Sequence, residues 1–210
     1  MAVGKQEVVR WLEALEQVYA ENRERLTELD SAIGDADHGI NMDRGFRAVK
    51  AELGARAWSD IGSIFQSVAT VLIRQVGGAA GPLYGTFFLR AGTACSGKTE
   101  MEAGEVVRLF EAGIEGVQQR GKAAAGEKTM LDALLPALEA MRKGMEGRSS
   151  LAEILDAGAA AAEAGMRETI PMQARKGRAS YLGGRSIGHQ DPGATSAYLL
   201  VKAAADTWGA

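Results

Sequence analysis

A single cysteine, Cys95, stands among 210 residues. No internal disulfide framework can form, and the chain reads as a protein of a reducing cytosol. Cys95 itself is expected to be a small buried residue. Only two histidines are present, His38 and His189. Scattered as they are, and with one cysteine, they give no zinc-ligand spacing. No apolar run approaches the ~20 residues that cross a bilayer, which excludes a membrane-spanning role. The opening MAVGKQEVVRWLEALEQ turns amphipathic and acidic at once, unlike a signal peptide, so a cytoplasmic location is expected. Basic residues are in slight deficit, 24 Lys and Arg against 27 Asp and Glu, for a net charge of -3. Without a global positive field, direct nucleic-acid binding is excluded as the main activity. The remaining composition, 46% hydrophobic and 24% charged, is that of a soluble globular chain. Its length suits one substantial core, so one domain over residues 1–210 is expected.

Strand signals are also missing: no segment alternates with period two between turn residues. Helical periodicity fills the space instead. Val8, Leu12, Leu15, Val18, Tyr19, Leu26 and Leu29 recur at three- and four-residue steps and predict a long first helix over about residues 5–29. INMDRGFRAVKAEL reads as a second helix ending near Gly54. Ser59–Asp60 can cap a third, striped by Ile61, Ile64, Phe65, Val68 and Leu72. Further helices follow in LYGTFFLRAGTAC, AGEVVRLFEAGIEGVQQRG, KTMLDALLPALEAMRKG, SLAEILDAGAAAAEAGMRETI and GATSAYLLVKAAADTWG. Pro136 in the sixth predicts a kink or an early start of that helix. Trp11, Trp58 and Trp208 read as core or interface anchors. The expected fold is all-α, about eight helices in an antiparallel bundle, with close backbone packing on the Ala- and Gly-rich faces of helices four and seven.

Glycine-rich polar loops recur between the helices at 34–39, 77–81, 121–126 and 177–193. In an up-and-down arrangement these loops share one end. That end would gather Asp30, Asp35, Asp37, His38, Arg178, His189 and Asp191. Three carboxylates in LDSAIGDADHGINM repel one another unless something positive sits among them. Hard oxygen donors suit Mg²⁺, Mn²⁺ or Ca²⁺. An EF-hand does not fit: counted from Asp35, the sixth position is Ile40 where Gly is needed, and the twelfth is Phe46 where Glu is needed. An aspartyl-phosphate site of the DxD type needs a buried strand ahead of the acids, and helix precedes them here. Two Mg²⁺ on three carboxylates would leave about one positive charge over, with open positions for phosphate. GGAAGP can present backbone N–H groups at a helix start, and Arg178 can add a charge-assisted phosphate contact. Walker A and kinase glycine-loop signatures are absent. The parts together point to a nucleotide held by metal-bridged phosphates on a helical scaffold.

GDADHGINMDRGF (34–46), GGAAGPLYGTFF (77–88) and KGRASYLGGRSIGHQDPGATS (176–196) resemble the L subunits of phosphotransferase-system-dependent dihydroxyacetone kinases, with the motifs in the right order over essentially the full chain. The resemblance implies an eight-helix antiparallel barrel with the nucleotide site at one end. It implies ADP as a tightly held cofactor with two Mg²⁺. A phosphohistidine on a multi-domain carrier, the M subunit, would phosphorylate that ADP, and the phosphoryl group would pass to dihydroxyacetone on a separate K subunit. Carried over by position, Asp30, Asp35 and Asp37 would hold Mg²⁺. His38, Gly39, Ile40 and Asn41, with Ala79 and Ala80, would contact the phosphates. Gly121 and Met130 would border the adenine, Arg178 would contact phosphate, and Asp191, Pro192 and Gly193 would close the site. No catalytic base is expected on this chain, because the acceptor hydroxyl would be activated on its partner. The family pattern has Ser where this chain has Ala80, one hydroxyl fewer for a phosphate oxygen. Other readings from the same residues are a transient phosphoryl group on His38, an autonomous kinase using bulk ATP, and a nucleotide-sensing adaptor for a transcriptional regulator. A homodimer is compatible with all of them.

Overall fold

The computed structural model describes residues 2–55 and 57–209. Helices α1 (Lys5–Glu21) and α2 (Arg23–Ile33) divide at Asn22 the single helix that periodicity predicts over 5–29. The Asn22 backbone still donates to Val18 O, and Leu26 to Asn22 O, so the division is a kink in one rod. The Asn22 side chain also donates to Val18 O, competing with the helical ladder at that point. Then come α3 (His38–Leu53), α4 (Ile61–Gln75), α5 (Ala80–Ala94), α6 (Ala103–Gly121), α7 (Leu131–Glu146), α8 (Leu151–Glu168) and α9 (Pro192–Trp208). With α1 and α2 taken as one bent rod, the described residues form the eight long helical rods expected.

Two features lie outside that expectation. Val3–Gly4 (β1) pairs antiparallel with Glu100–Met101 (β2), too short a pair to show period-two patterning. Arg178–Ser186 forms a 3-10 segment inside the long α8–α9 connection, interrupted where Gly183 leaves helical geometry.

Helix starts follow local chemistry. Asp60, Ser150 and Asp191 each accept an N–H from the residue three positions on, capping α4, α8 and α9. Pro136 sits within α7 and removes the donor that the Asp132 carbonyl would otherwise receive. Gly165 of α8 packs onto that carbonyl so closely that a Cβ there would lie 2.0 Å from it. The small residues of α8 thus let the two helices approach, as the sequence suggests.

Consecutive helices from α3 to α9 contact in order, and α1 touches both α3 and α9, so the neighbour relations close into a ring. The core fills its interior. Trp11 of α1 lies 4.7 Å from Trp208 of α9, centroid to centroid, and packs on Phe65, Phe88 and Phe110. The Trp11 indole donates to Leu200 O, and that of Trp208 to Glu7 O, so both polar edges are satisfied. Trp58 is only partly buried and packs against the rim of this core. Cys95 is buried, and burial pushes its thiol up to about 11. Among the described residues, no helix is long and apolar enough to cross a membrane.

Candidate functional site

The connections α2–α3, α4–α5, α6–α7 and α8–α9 meet around one cavity of about 540 Å³. Every second turn of the chain therefore reaches the same end, as an alternating up-and-down path requires. A larger groove of about 870 Å³, between α3 and α4, is lined by none of the candidate site residues.

On one side of the cavity stand the acids. Asp30, Asp35 and Asp37 each offer a carboxylate oxygen within 4.8 Å of the others. Asp30, in the last turn of α2, is buried, and its Oδ2 accepts the N–H of Asp37 (2.9 Å) and of His38 (3.1 Å). That carboxylate thereby shapes the loop carrying the other two and holds the start of α3. The loop turns through Ala36 at φ +59°. Arg178 reaches across from the α8–α9 connection to pair with Asp35 Oδ2 at 3.0 Å. An all-oxygen cluster of three carboxylates, offset only in part by a single guanidinium, fits a hard divalent cation.

Opposite the acids, α5 begins. Ala79 is its N-cap and Ala80 its first residue. No acceptor among the described residues engages the N–H groups of 78–81. Gly78, Ala79 and Ala80 line the cavity at the positive end of a 15-residue helix, the arrangement that receives anionic phosphate. The Asn41 side chain abuts Gly77 and accepts from Arg44, which also donates to Gln75 O, so α3 braces this turn.

The third wall comes from the α6–α7 connection. Gly121, Thr129 and Met130 line the cavity with Leu83 and Val117. Asp132 accepts the N–H of Gly126 (2.5 Å) and of Thr129 (2.7 Å), folding that connection over the start of α7. Asp191, Pro192 and Gly193 complete the lining at the N-terminus of α9. Asp191 is buried and caps α9 through Ala194 N at 2.7 Å. Burial pushes its carboxyl up to about 7, assisted by Asp132 and Asp30, while the Ala194 N–H and Lys128 pull the other way.

His38 joins a buried hydrogen-bond network. Its Nε2 is 2.8 Å from Ser196 Oγ, and Tyr84 Oη is 2.7 Å from the same oxygen. Ser196 Oγ donates to Gly193 O, and Tyr19 Oη donates to Ser196 O. Carbonyls only accept, so these two bonds consume the hydroxyl hydrogens of Ser196 and Tyr19. Tyr84 and His38 must then both donate to Ser196 Oγ, which fills its two lone pairs. The histidine hydrogen is thereby assigned to Nε2. Burial lowers the His38 pKa, with Asp30 and Asp37 opposing. In the neutral ring Nδ1 holds the lone pair.

Nearly all the expected residues come together here: Asp30, Asp35, Asp37, His38, Asn41, Ala79, Ala80, Gly121, Met130, Arg178, Asp191, Pro192 and Gly193 line one cavity. Gly39 and Ile40 do not. Gly39 packs against α2, where a Cβ would sit 2.0 Å from Arg23 O, so the close approach of two helices accounts for that glycine. Ile40 lies on the outer face of α3, 40% exposed. His189 is likewise outside the lining, though its carbonyl serves an internal contact with Lys128. Lys128, Thr129, Asp132 and Ser196 go unmarked by sequence reasoning. The 121–126 loop and Met130 marked the region holding the first three, without singling them out.

An acid cluster, a helix start with free N–H groups and four alternating loops around one cavity define a helical nucleotide-phosphate domain, and residues 32–206 match the DAK2 domain family. The chain belongs to that family. It is 46% identical over 202 residues to the PEP-dependent dihydroxyacetone kinase, ADP-binding subunit, of Escherichia coli, covering 96% of each chain. The corresponding ADP-binding subunit of the PTS-dependent enzyme of Lactococcus lactis is 41% identical over 91% of this chain and 92% of its own. Human triokinase/FMN cyclase is 34% identical over 86% of this chain, which spans 31% of that longer protein. The dihydroxyacetone kinase of C. freundii, solved with AMP-PNP and Mg²⁺, superposes with a TM-score of 0.75 at 24% identity. That superposition covers 98% of this chain and 34% of the other, and shares the fold.

Proposed function

We propose that this chain is the ADP-binding subunit of a PEP-dependent dihydroxyacetone kinase, a single nucleotide-binding domain working in the cytoplasm with separate partners. In the reaction, the N–P bond of a phosphohistidine on the M subunit breaks as an O–P bond forms at the β-phosphate of retained ADP. The γ-phosphoryl group then leaves that oxygen for a hydroxyl of dihydroxyacetone on the K subunit, where the hydroxyl proton is also taken up. The observation that carries this reading is the pairing, across one cavity, of a three-carboxylate cluster with a helix start whose N–H groups have no protein acceptor.

The chain's own residues position and neutralise. Phosphoryl transfer asks little else of the protein. Asp30, Asp35 and Asp37 would hold two Mg²⁺, which would supply positive charge to offset that of the phosphates. The N–H groups at 78–80 would receive phosphate oxygens without any side-chain rearrangement. Gly121 and Met130 form the apolar edge suited to the adenine. Arg178, paired with Asp35 in the fold, would transfer its guanidinium to phosphate when the carboxylate takes up metal, so that one residue answers to both ligands. His38 touches the phosphate region with a backbone N–H already given to Asp30 and a ring hydrogen already given to Ser196. Its neutral ring therefore has no hydrogen left to donate, and its contribution is shape and an acceptor at Nδ1.

The test is to purify the protein through exhaustive desalting, denature it, and quantify released nucleotide and magnesium. About one ADP and two Mg²⁺ per chain are expected. An empty protein that supports turnover with bulk ATP and the K subunit alone would replace this reading with an exchanging kinase.

A further inference from the structure

Lys128 is 1% exposed, yet among the described residues no carboxylate lies within ion-pair distance of it. Its Nζ donates instead to four backbone carbonyls: Thr169 at 2.8 Å, Met172 at 3.1 Å, Ser186 at 2.8 Å and His189 at 2.5 Å. An ammonium has three hydrogens, so one of them is shared. All four carbonyls belong to the end of α8 and the connection that leads to α9. Lys128 belongs to a different wall, the α6–α7 connection, beside Thr129 and Met130. Its backbone there adopts φ +62°, a conformation that L-residues hold only when their surroundings fix it.

The α8–α9 connection has few other anchors. Its apolar contact is the small cluster of Ala174 and Ala179 on Ile33 of α2, with Leu182 alongside. Its polar ties include Arg175 N to Glu127 O, Ala174 N to Ser186 Oγ, Gly188 N to Ile170 O, Asp191 N to Thr169 Oγ1 and the exposed ion pair of Arg178 with Asp35. Only the first of these reaches the α6–α7 wall. Two of the carbonyls that Lys128 holds, those of Thr169 and Ser186, are in bonds buried from water. The Thr169 carbonyl also accepts Met172 N–H; without the ammonium the other three carbonyls would lose the donor that satisfies them, and opening toward water is the way to replace it.

We infer that Lys128 is a positioning residue, a cationic latch that fastens the residue 170–190 connection, and with it Arg178, over the nucleotide cavity. It borders the cavity and acts through the backbone carbonyls on which its ammonium hydrogens are spent. Burial lowers its pKa while Asp191 raises it, consistent with an ammonium held by oxygens that carry no net charge. The inference rests on the nucleotide reading above for its consequence, slow release of ADP, but the latch itself is a property of the polypeptide alone.

The experiment compares the full-length wild type with Lys128→Met and Lys128→Arg by amide hydrogen exchange and by dissociation of ADP in the presence of Mg²⁺. For Lys128→Met, exchange across 172–190 and the ADP dissociation rate should each rise at least about tenfold, the size of one lost buried charge-assisted contact. Protection within α7 and α8 should stay as in the wild type, which a general loss of stability would not allow. Equal loop exchange and equal ADP release in a variant with α7 and α8 intact would overturn the latch. Should Lys128→Met fail to fold, Lys128→Arg decides. A planar guanidinium cannot meet four carbonyls converging on one point, so loop exchange must rise several-fold with α7 and α8 unchanged, and wild-type exchange would refute the proposal. A wild type without ADP affinity would remove the nucleotide reading while the exchange measurement still judged the latch.

Discussion

Replacing Ser196 by alanine tests the hydrogen assignment at His38 with a magnitude the structure supplies. The substitution removes the oxygen that accepts both His38 Nε2–H and Tyr84 Oη–H. A buried donor left without an acceptor costs about 1–3 kcal/mol. Tyr84 has a second partner in Tyr19, so its loss is partly recovered, whereas His38 has none at Nε2. The expected cost is therefore about 2–4 kcal/mol in urea unfolding at neutral pH, a drop of roughly 5–15 °C in Tm for a chain of this length. Tyr84→Phe is the matched control. It removes one donor and leaves Ser196 Oγ still occupied by His38, so it should cost under about 1.5 kcal/mol. The imidazole ¹⁵N spectrum reads the same assignment directly: wild type should show the Nε2–H tautomer, and Ser196→Ala a mixture. A stability loss under about 0.5 kcal/mol, together with an unchanged His38 spectrum, would refute the proton count and with it the claim that His38 is fixed from the core side.

Asp35→Ala should abolish phosphoryl transfer and weaken Mg²⁺-dependent ADP binding by at least about tenfold, or 1.4 kcal/mol. Titration calorimetry would check this, and unfolding stability should change little, because the Asp35–Arg178 pair is largely exposed. Ala80→Ser restores a hydroxyl beside the free N–H groups and should slow ADP release by up to about tenfold, the worth of one phosphate hydrogen bond, measured by chase with labelled nucleotide. Asp191 gives a pH dependence: its carboxyl ordinarily titrates near 3.8 and stands at about 7 in the fold. Between those values the folded protein keeps a proton that the unfolded chain has released, so this group's stabilisation is full below pH ~4 and is lost as pH rises toward ~7. Without nucleotide, wild type should lose stability across that window relative to Asp191→Asn, which keeps the cap on α9; parallel curves would contradict the raised value. Incubation with the phosphorylated M subunit should place label on nucleotide alone, and acid-labile label on His38 would support the histidine relay instead.

The elements that were legible in the sequence are those whose cause is local. The capped start of α4 at Asp60 and the full extent of α6 at 103–121 follow from side chains within a few positions of one another. The division at Asn22 was not legible, because an unbroken apolar stripe continues through it and only a side chain returning to Val18 O marks the bend. The acids, the 77–81 turn and Arg178 were legible as a site because alternate loops of an antiparallel bundle must share an end, so spacing along the chain stood in for distance. Gly39 shows the limit of that substitution. A glycine within a site motif invites a phosphate contact, and here it serves helix packing against Arg23 instead.

Lys128 marks the other limit. In GEKTML it is one more lysine beside a glutamate, and the rule that lysines are solvated is right almost everywhere. What buries this one is a set of four backbone carbonyls contributed from 41 to 61 residues away. Carbonyls are present at every position and carry no residue identity, so no pattern in the side chains records where they will converge. The acids of the site advertise their cation because carboxylates close together are costly without one. A carbonyl cage advertises nothing until the chain has folded. The long α8–α9 connection therefore looks from sequence like a flexible polar loop, although one ammonium from another wall determines where it lies. Contacts of side chains with the main chain are thus the part of a nucleotide site least visible before the fold is known, and here they decide how the cavity is closed.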